Sequence, residues 1–110
     1  MHRFRRLMEE KIRVEYEIRT RKVQERFSDN LSYLRALRNY TIEEMSKQTG
    51  LSAGYLSELE SGKKRRPTIE TLVCLGKALE IAPGALLDID FRAEALRNIQ
   101  KIDESKRIHS

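Results

Sequence analysis

The sequence predicts an all-α domain, on three observations. Apolar residues recur at spacings of three and four from Val23 to Ile102. Ser or Thr caps and Gly stops cut that stretch into short helices. Only two prolines and five glycines occur in 110 residues, which argues against a β-sandwich or a disordered tract. This length holds one small domain and an appendage, and 39% hydrophobic content fills one modest core.

The first 20 residues read as a separate arm. In "KIRVEYEIR", residues 11–19, Ile12, Val14, Tyr16 and Ile18 alternate with charged residues. As a helix, this stretch would set Ile12 and Tyr16 against Val14 and Ile18, with apolar groups on both faces. A strand is therefore the expectation. No second strand is visible to pair with it, so the partner would be the same segment of another subunit, antiparallel about a two-fold axis. The Glu, Arg and Lys content leaves a long charged helix as the alternative.

Residues 21–89 read as the main domain. Val23, Phe27, Leu31, Leu34 and Leu37 lie on one helical face, with Thr20 a candidate N-cap and Asn39–Tyr40 the exit. Thr41 and Glu44 then have capping-box spacing, Ile42 and Met45 supply the buried side, and Gly50 ends the helix. Ser52 caps a second short helix with Tyr55, Leu56 and Leu59 inward, stopped by Gly62. Pro67–Thr68 open a core helix patterned by Ile69, Leu72, Val73, Leu75 and Leu79. Pro83 suits the first turn of a last short helix ending at Leu87. In residues 90–110, Phe91, Ala95, Leu96, Ile99 and Ile102 predict a further amphipathic helix, after which the tail "ESKRIHS" is expected to fray.

Charge is unevenly placed. The net +5 divides into +4 over residues 1–28, −1 over 29–90 and +2 over 91–110. A uniformly basic nucleic-acid binder is excluded, but local cation clusters suffice for phosphate binding because screening confines each charge to roughly 10 Å. The single Cys74 cannot form an internal disulfide, which fits a cytoplasmic protein. "MHRFRRLMEE" contains no apolar run long enough for a signal peptide or a membrane span. His2, His109 and Cys74 have no metal-ligand spacing, and no cofactor is expected. Glu9/Glu10 and Glu43/Glu44 are adjacent pairs that do not converge on one helix face. No Gly-rich phosphate loop or nucleophile–base arrangement appears, so the chain does not read as an enzyme.

The short helices Thr41–Thr49 and Ser52–Glu60, joined at Gly50 and followed by Leu51, have helix-turn-helix spacing. Across "LSYLRALRNYTIEEMSKQTGLS", "YLSELESGKKRRPTIETLVCLGKALEI" and "PGALL" the chain resembles the lambda-repressor/Cro-like (xenobiotic-response-element type) helix-turn-helix family. The resemblance covers just over half the chain. It implies a five-helix domain, here with an N-terminal arm and an added C-terminal helix, whose partner is double-stranded DNA. The helix from Ser52 would lie in the major groove. Glu60, by the same resemblance, ties the motif internally.

The candidate base-facing set is Ser52, Ala53, Gly54, Ser57 and Glu58. Ala53 can touch a thymine methyl, Gly54 allows close approach, and Glu58 can accept from a cytosine amine. This set is poor in donors, and Ile42 stands where many relatives have Gln, so DNA shape and half-site spacing would carry part of the specificity. Lys63, Lys64, Arg65 and Arg66 occupy the loop where the family meets the DNA backbone, a loop one residue longer than its commonest form. Arg38, Thr41 and Lys47 are second-rank phosphate candidates. The expected function is a transcriptional repressor, homodimeric through Ile12, Val14, Tyr16 and Ile18, through Phe91, Leu96 and Ile99, or through both. No ligand-sensing segment is apparent. The alternatives are an antitoxin-type DNA-binding protein whose arm binds a partner protein, and a protein-interaction module that does not read DNA.

Overall fold

The computed structural model describes residues 2–109, with side chains for residues 2–106. Six helices follow in chain order: α1 (His2–Leu37), α2 (Ile42–Thr49), α3 (Ala53–Ser61), α4 (Ile69–Leu79), α5 (Ala85–Asp88) and α6 (Phe91–His109). No strand occurs among the described residues.

The strand expected at residues 11–19 is therefore corrected: the segment lies inside the unbroken 36-residue α1. A helix satisfies backbone groups within the segment, whereas a lone strand leaves its ladder unpaired. The many Arg, Glu, Lys, Leu and Met residues of "MHRFRRLMEEKIRVEYEIRTRK" are good helix formers and outweigh four β-branched residues. Thr20 is corrected with it. It lies inside α1, where its hydroxyl donates to the Tyr16 carbonyl (2.8 Å) instead of capping a terminus. No break therefore separates the arm from the domain.

Only the second half of α1 is buried. Phe27, Leu31 and Leu34 meet Met45 of α2, Leu56 and Leu59 of α3, Leu75 and Leu79 of α4 and Leu86 of α5 in one core. Each such side chain contributes roughly 1.5–3 kcal/mol when taken out of water. The exit from α1 uses Asn39 in the left-handed region (φ 57°), which a short polar side chain tolerates. In α4 the buried face is Thr71, Leu75, Gly76 and Leu79. Ile69 and Val73, expected inside, are 77% and 50% exposed. Pro83 falls in the turn before α5.

Two polar residues that the sequence pattern left unread, Asn30 and Ser28, and one read otherwise, Arg38, bind the elements together. Asn30 donates through Nδ2 to the carbonyls of Leu86 (2.8 Å) and Ile89 (2.6 Å), and its Oδ1 accepts from the Phe91 amide (3.3 Å). It thereby satisfies the end of α5 and the start of α6. Ser28 donates to the Leu59 carbonyl (2.8 Å). Arg38, offered as a phosphate candidate, donates to the Leu79 carbonyl (2.7 Å) and pairs with Glu80 (3.2 Å), a cation placed where the α4 dipole is negative.

Beyond its first turn α6 leaves the core: Phe91 packs against it, while Leu96, Ile99 and Ile102 are each 55% exposed. Helix α6 continues to His109, within the tail expected to fray, and Ser110 lies outside the described residues. No helix among the described residues is long and apolar enough to cross a membrane.

Candidate nucleic-acid interface

The turn between α2 and α3 is built from local rules. Thr41 caps α2 by accepting from the Glu44 amide (3.0 Å), the Thr41 half of the capping box. Gly50 adopts φ 77°, and its amide closes on the Ser46 carbonyl (2.9 Å). Ser46 then donates to the Leu51 carbonyl (2.6 Å), and Thr49 accepts from the Leu51 amide (3.1 Å). Both bonds fix the angle at which the chain enters α3.

Ser52 caps α3 with its hydroxyl oxygen on the Tyr55 amide (3.1 Å). The amides of Ala53 and Gly54 have no acceptor within the helix, which leaves the positive end of its dipole open to an anion. Of the predicted base-facing residues, Ser52, Gly54 and Ser57 are exposed together, while Ala53 and Glu58 are half-buried. Ser61, absent from the predicted set, is exposed as well. Its spacing from Gly54 and Ser57 marks it as a member of the same row.

The far end of α3 carries the cations. Gly62 terminates the helix at φ 79°, and Lys63, Lys64, Arg65 and Arg66 follow, all exposed. The loop is shaped by its own backbone: the Lys64 amide donates to the Glu58 carbonyl (3.0 Å), and Arg65 Nε donates to the Gly62 carbonyl (3.0 Å). With nine residues in α3, the cations begin ~13 Å from its N-terminus. That separation lets one end of a helix address base edges while the other meets phosphate. Thr41, at the cap of α2, and Lys47, within it, are exposed.

Glu60 is engaged inside the fold. Its carboxylate takes Arg35 Nε (2.6 Å) and Nη2 (3.2 Å) in a two-pronged pair, and Arg35 Nη1 reaches the Tyr40 carbonyl (2.8 Å). The hydrogen bond to Glu60 raises the guanidinium pKa above its ordinary value, against a smaller opposing effect of burial. This clamp spans α1, the α1–α2 turn and the end of α3. The sequence pointed to Glu60 but not to its partner, whose signal is a cation flanking the core residue Leu34. On the other side of α3, the Tyr55 hydroxyl meets Thr71 Oγ1 (3.3 Å), tying the helix to α4.

Comparison with known proteins agrees with this geometry. Residues 30–91 match the family model of the Cro/C1-type HTH DNA-binding domain. An uncharacterised HTH-type transcriptional regulator of Bacillus subtilis, YozG, is 34% identical over 59 residues, covering 54% of this chain and 70% of the relative. The crystal structure of the clp gene regulator ClgR from Corynebacterium glutamicum superposes with a TM-score of 0.57 at 29% identity. That match covers 78% of this chain and 88% of the other. With the turn, the capped helix and the family pattern in agreement over more than half its length, the chain belongs to the Cro/C1-type helix-turn-helix DNA-binding family.

Proposed function

We propose that the chain is a sequence-specific transcriptional repressor, acting in the cytoplasm as a homodimer on an inverted-repeat operator. The observation that carries this reading is the pairing of an open, Ser-capped helix start with four exposed cations at the other end of the same helix. The first offers amides and small side chains to a groove, and the second offers charge to a phosphate strand. The names of the two similar proteins, both regulators, support the same reading. A nine-residue helix spans few base pairs, so two copies on half-sites about one turn apart supply the remaining affinity and specificity. Repression needs no further surface, since a domain sitting on a promoter excludes polymerase by occupancy.

The test replaces Lys63, Lys64, Arg65 and Arg66 by Gln and measures operator binding by fluorescence anisotropy across a salt series. Each lost phosphate contact lowers the slope of log K against log salt by about 0.9. Unchanged affinity and slope would instead favour the non-DNA interaction module.

A further inference from the structure

From His2 to Arg19 every residue of α1 is exposed, including large apolar ones. Phe4, Met8, Ile12 and Tyr16, at 71%, 45%, 62% and 70% exposure, follow one another at four-residue spacing. They form a single ridge of the helix surface. The next position, Thr20, is half-buried, and the ridge then runs into the buried face at Val23 and Phe27. Where it meets the domain there is a cleft of about 430 Å³ whose lining includes Tyr16, Val23, Phe27, Pro67, Leu72 and Leu87. A long helix holding an apolar ridge in water, beside an apolar cleft, lacks the packing that ordinarily stabilises helices.

We propose that a second copy of this chain covers both features, its α1 arm crossing antiparallel so that Phe4 faces Tyr16 and Met8 faces Ile12. This deepens the homodimer reading above and rests on it. The ridge is self-complementary in that register: each of the four side chains meets an apolar partner, and the two-fold axis repeats every contact. Ridges of four-residue spacing interdigitate at a crossing angle of about −50°. The contact needs only ~18 Å of helix from Phe4 to Tyr16. Charge agrees with it, since in that register Arg5 of one arm stands level with Glu15 of the other, and Glu9 level with Lys11.

In the same register the Phe4 ring of one copy arrives beside Tyr16 of the other, at the mouth of the cleft. The two aromatic rings of the ridge carry roughly 150–250 Å² apiece, so the ridge supplies about half of the ~800 Å² that each partner of a stable pair contributes, and its flanks and the cleft supply the rest. Arg65 and Arg66 line that cleft too. Filling it therefore sets the phosphate loop of each copy against the arm of the other.

The test uses the full chain in sedimentation equilibrium. The wild-type protein is expected to be a dimer at micromolar concentration. Phe4→Asp and Ile12→Asp should raise the dissociation constant at least tenfold, while the thermal transition of the domain, compared at concentrations where parent and variants are both monomeric, stays put. Leu96→Asp and Ile99→Asp, on α6, should leave the dimer intact. In a Cys74→Ser background, a mixture of Met8→Cys and Ile12→Cys chains should cross-link under mild oxidation faster than either variant alone. A dimer that survives the arm variants, dissociates with the α6 variants, or shows no preference for the mixture overturns the register and leaves the homodimer reading standing. A wild-type protein that stays monomeric at 100-fold higher concentration overturns the homodimer reading itself.

Discussion

Arg35 and Glu60, 25 positions apart, close a two-pronged ion pair that joins α1 to the last turn of α3. Their side chains are only 24% and 12% exposed, so removing one partner strands the other in a poorly solvated site. Fully buried pairs lose 3–5 kcal/mol on such truncation, and partial exposure reduces this to about 1–3 kcal/mol for Glu60→Ala. A double-mutant cycle with Arg35→Met, followed by urea denaturation, should show coupling above ~0.5 kcal/mol. The guanidinium pKa is higher folded than unfolded. The contribution of Arg35 is thus fully present below its ordinary unfolded value and fades only in more alkaline solution, so the coupling should be equal at pH 7 and pH 10. Coupling indistinguishable from zero would mean that the pair adds nothing to the hold on α3 beyond its apolar contacts and the hydrogen bonds of Ser28 and Tyr55.

Gly54 is a second point of test. A Cβ built at this position meets no atom within 4 Å, and the backbone is not left-handed there, so the fold does not require glycine. Gly54→Ala should leave stability unchanged or raise it by up to ~1 kcal/mol, through helix propensity. If the reading helix approaches the groove as closely as its small side chains suggest, the same variant should weaken operator binding by about tenfold, roughly 1.4 kcal/mol. Thermal melting and anisotropy titration on one preparation separate the two effects. Equal affinity would remove Gly54 from the contact surface.

Gly76 behaves in the opposite sense. A Cβ there would lie 2.7 Å from the Ile81 carbonyl oxygen and 3.2 Å from the Pro83 nitrogen, both backbone atoms that cannot swing away. The chain after α4 folds back over this glycine, and the Ile81 amide donates to its carbonyl (2.9 Å). Gly76→Ala should cost about 1–3 kcal/mol by overpacking, and it should show as a lower thermal midpoint. A variant as stable as the parent would mean that the α4–α5 turn relaxes freely.

How much of this was legible beforehand follows from the range of each interaction. Caps and stops act over three or four residues, so Thr41, Gly50, Ser52, Gly62 and Thr68 could be read from sequence and hold in the structure. Asn30 was not read, although its spacing from Phe27 and Leu34 sets it on the buried face. What it binds lies 56–61 positions away, where no local pattern reaches. The arm was misread because the alternation in "KIRVEYEIR" mimics a half-buried strand, while no other part of this chain packs on the segment and its good helix formers decide its structure. Arg38 shows the converse, a surface cation at sequence level that caps the end of α4 in the fold.

The central claim is that α3 and its cation loop read duplex DNA in two copies. Selection of bound duplexes from a random pool by the full-length protein tests it most directly. The account predicts enrichment of a palindromic consensus whose half-sites lie about 10 base pairs apart, one helical turn, with weak constraint at positions facing Gly54 and Ser57. A pool that shows no enrichment over its starting composition would contradict it.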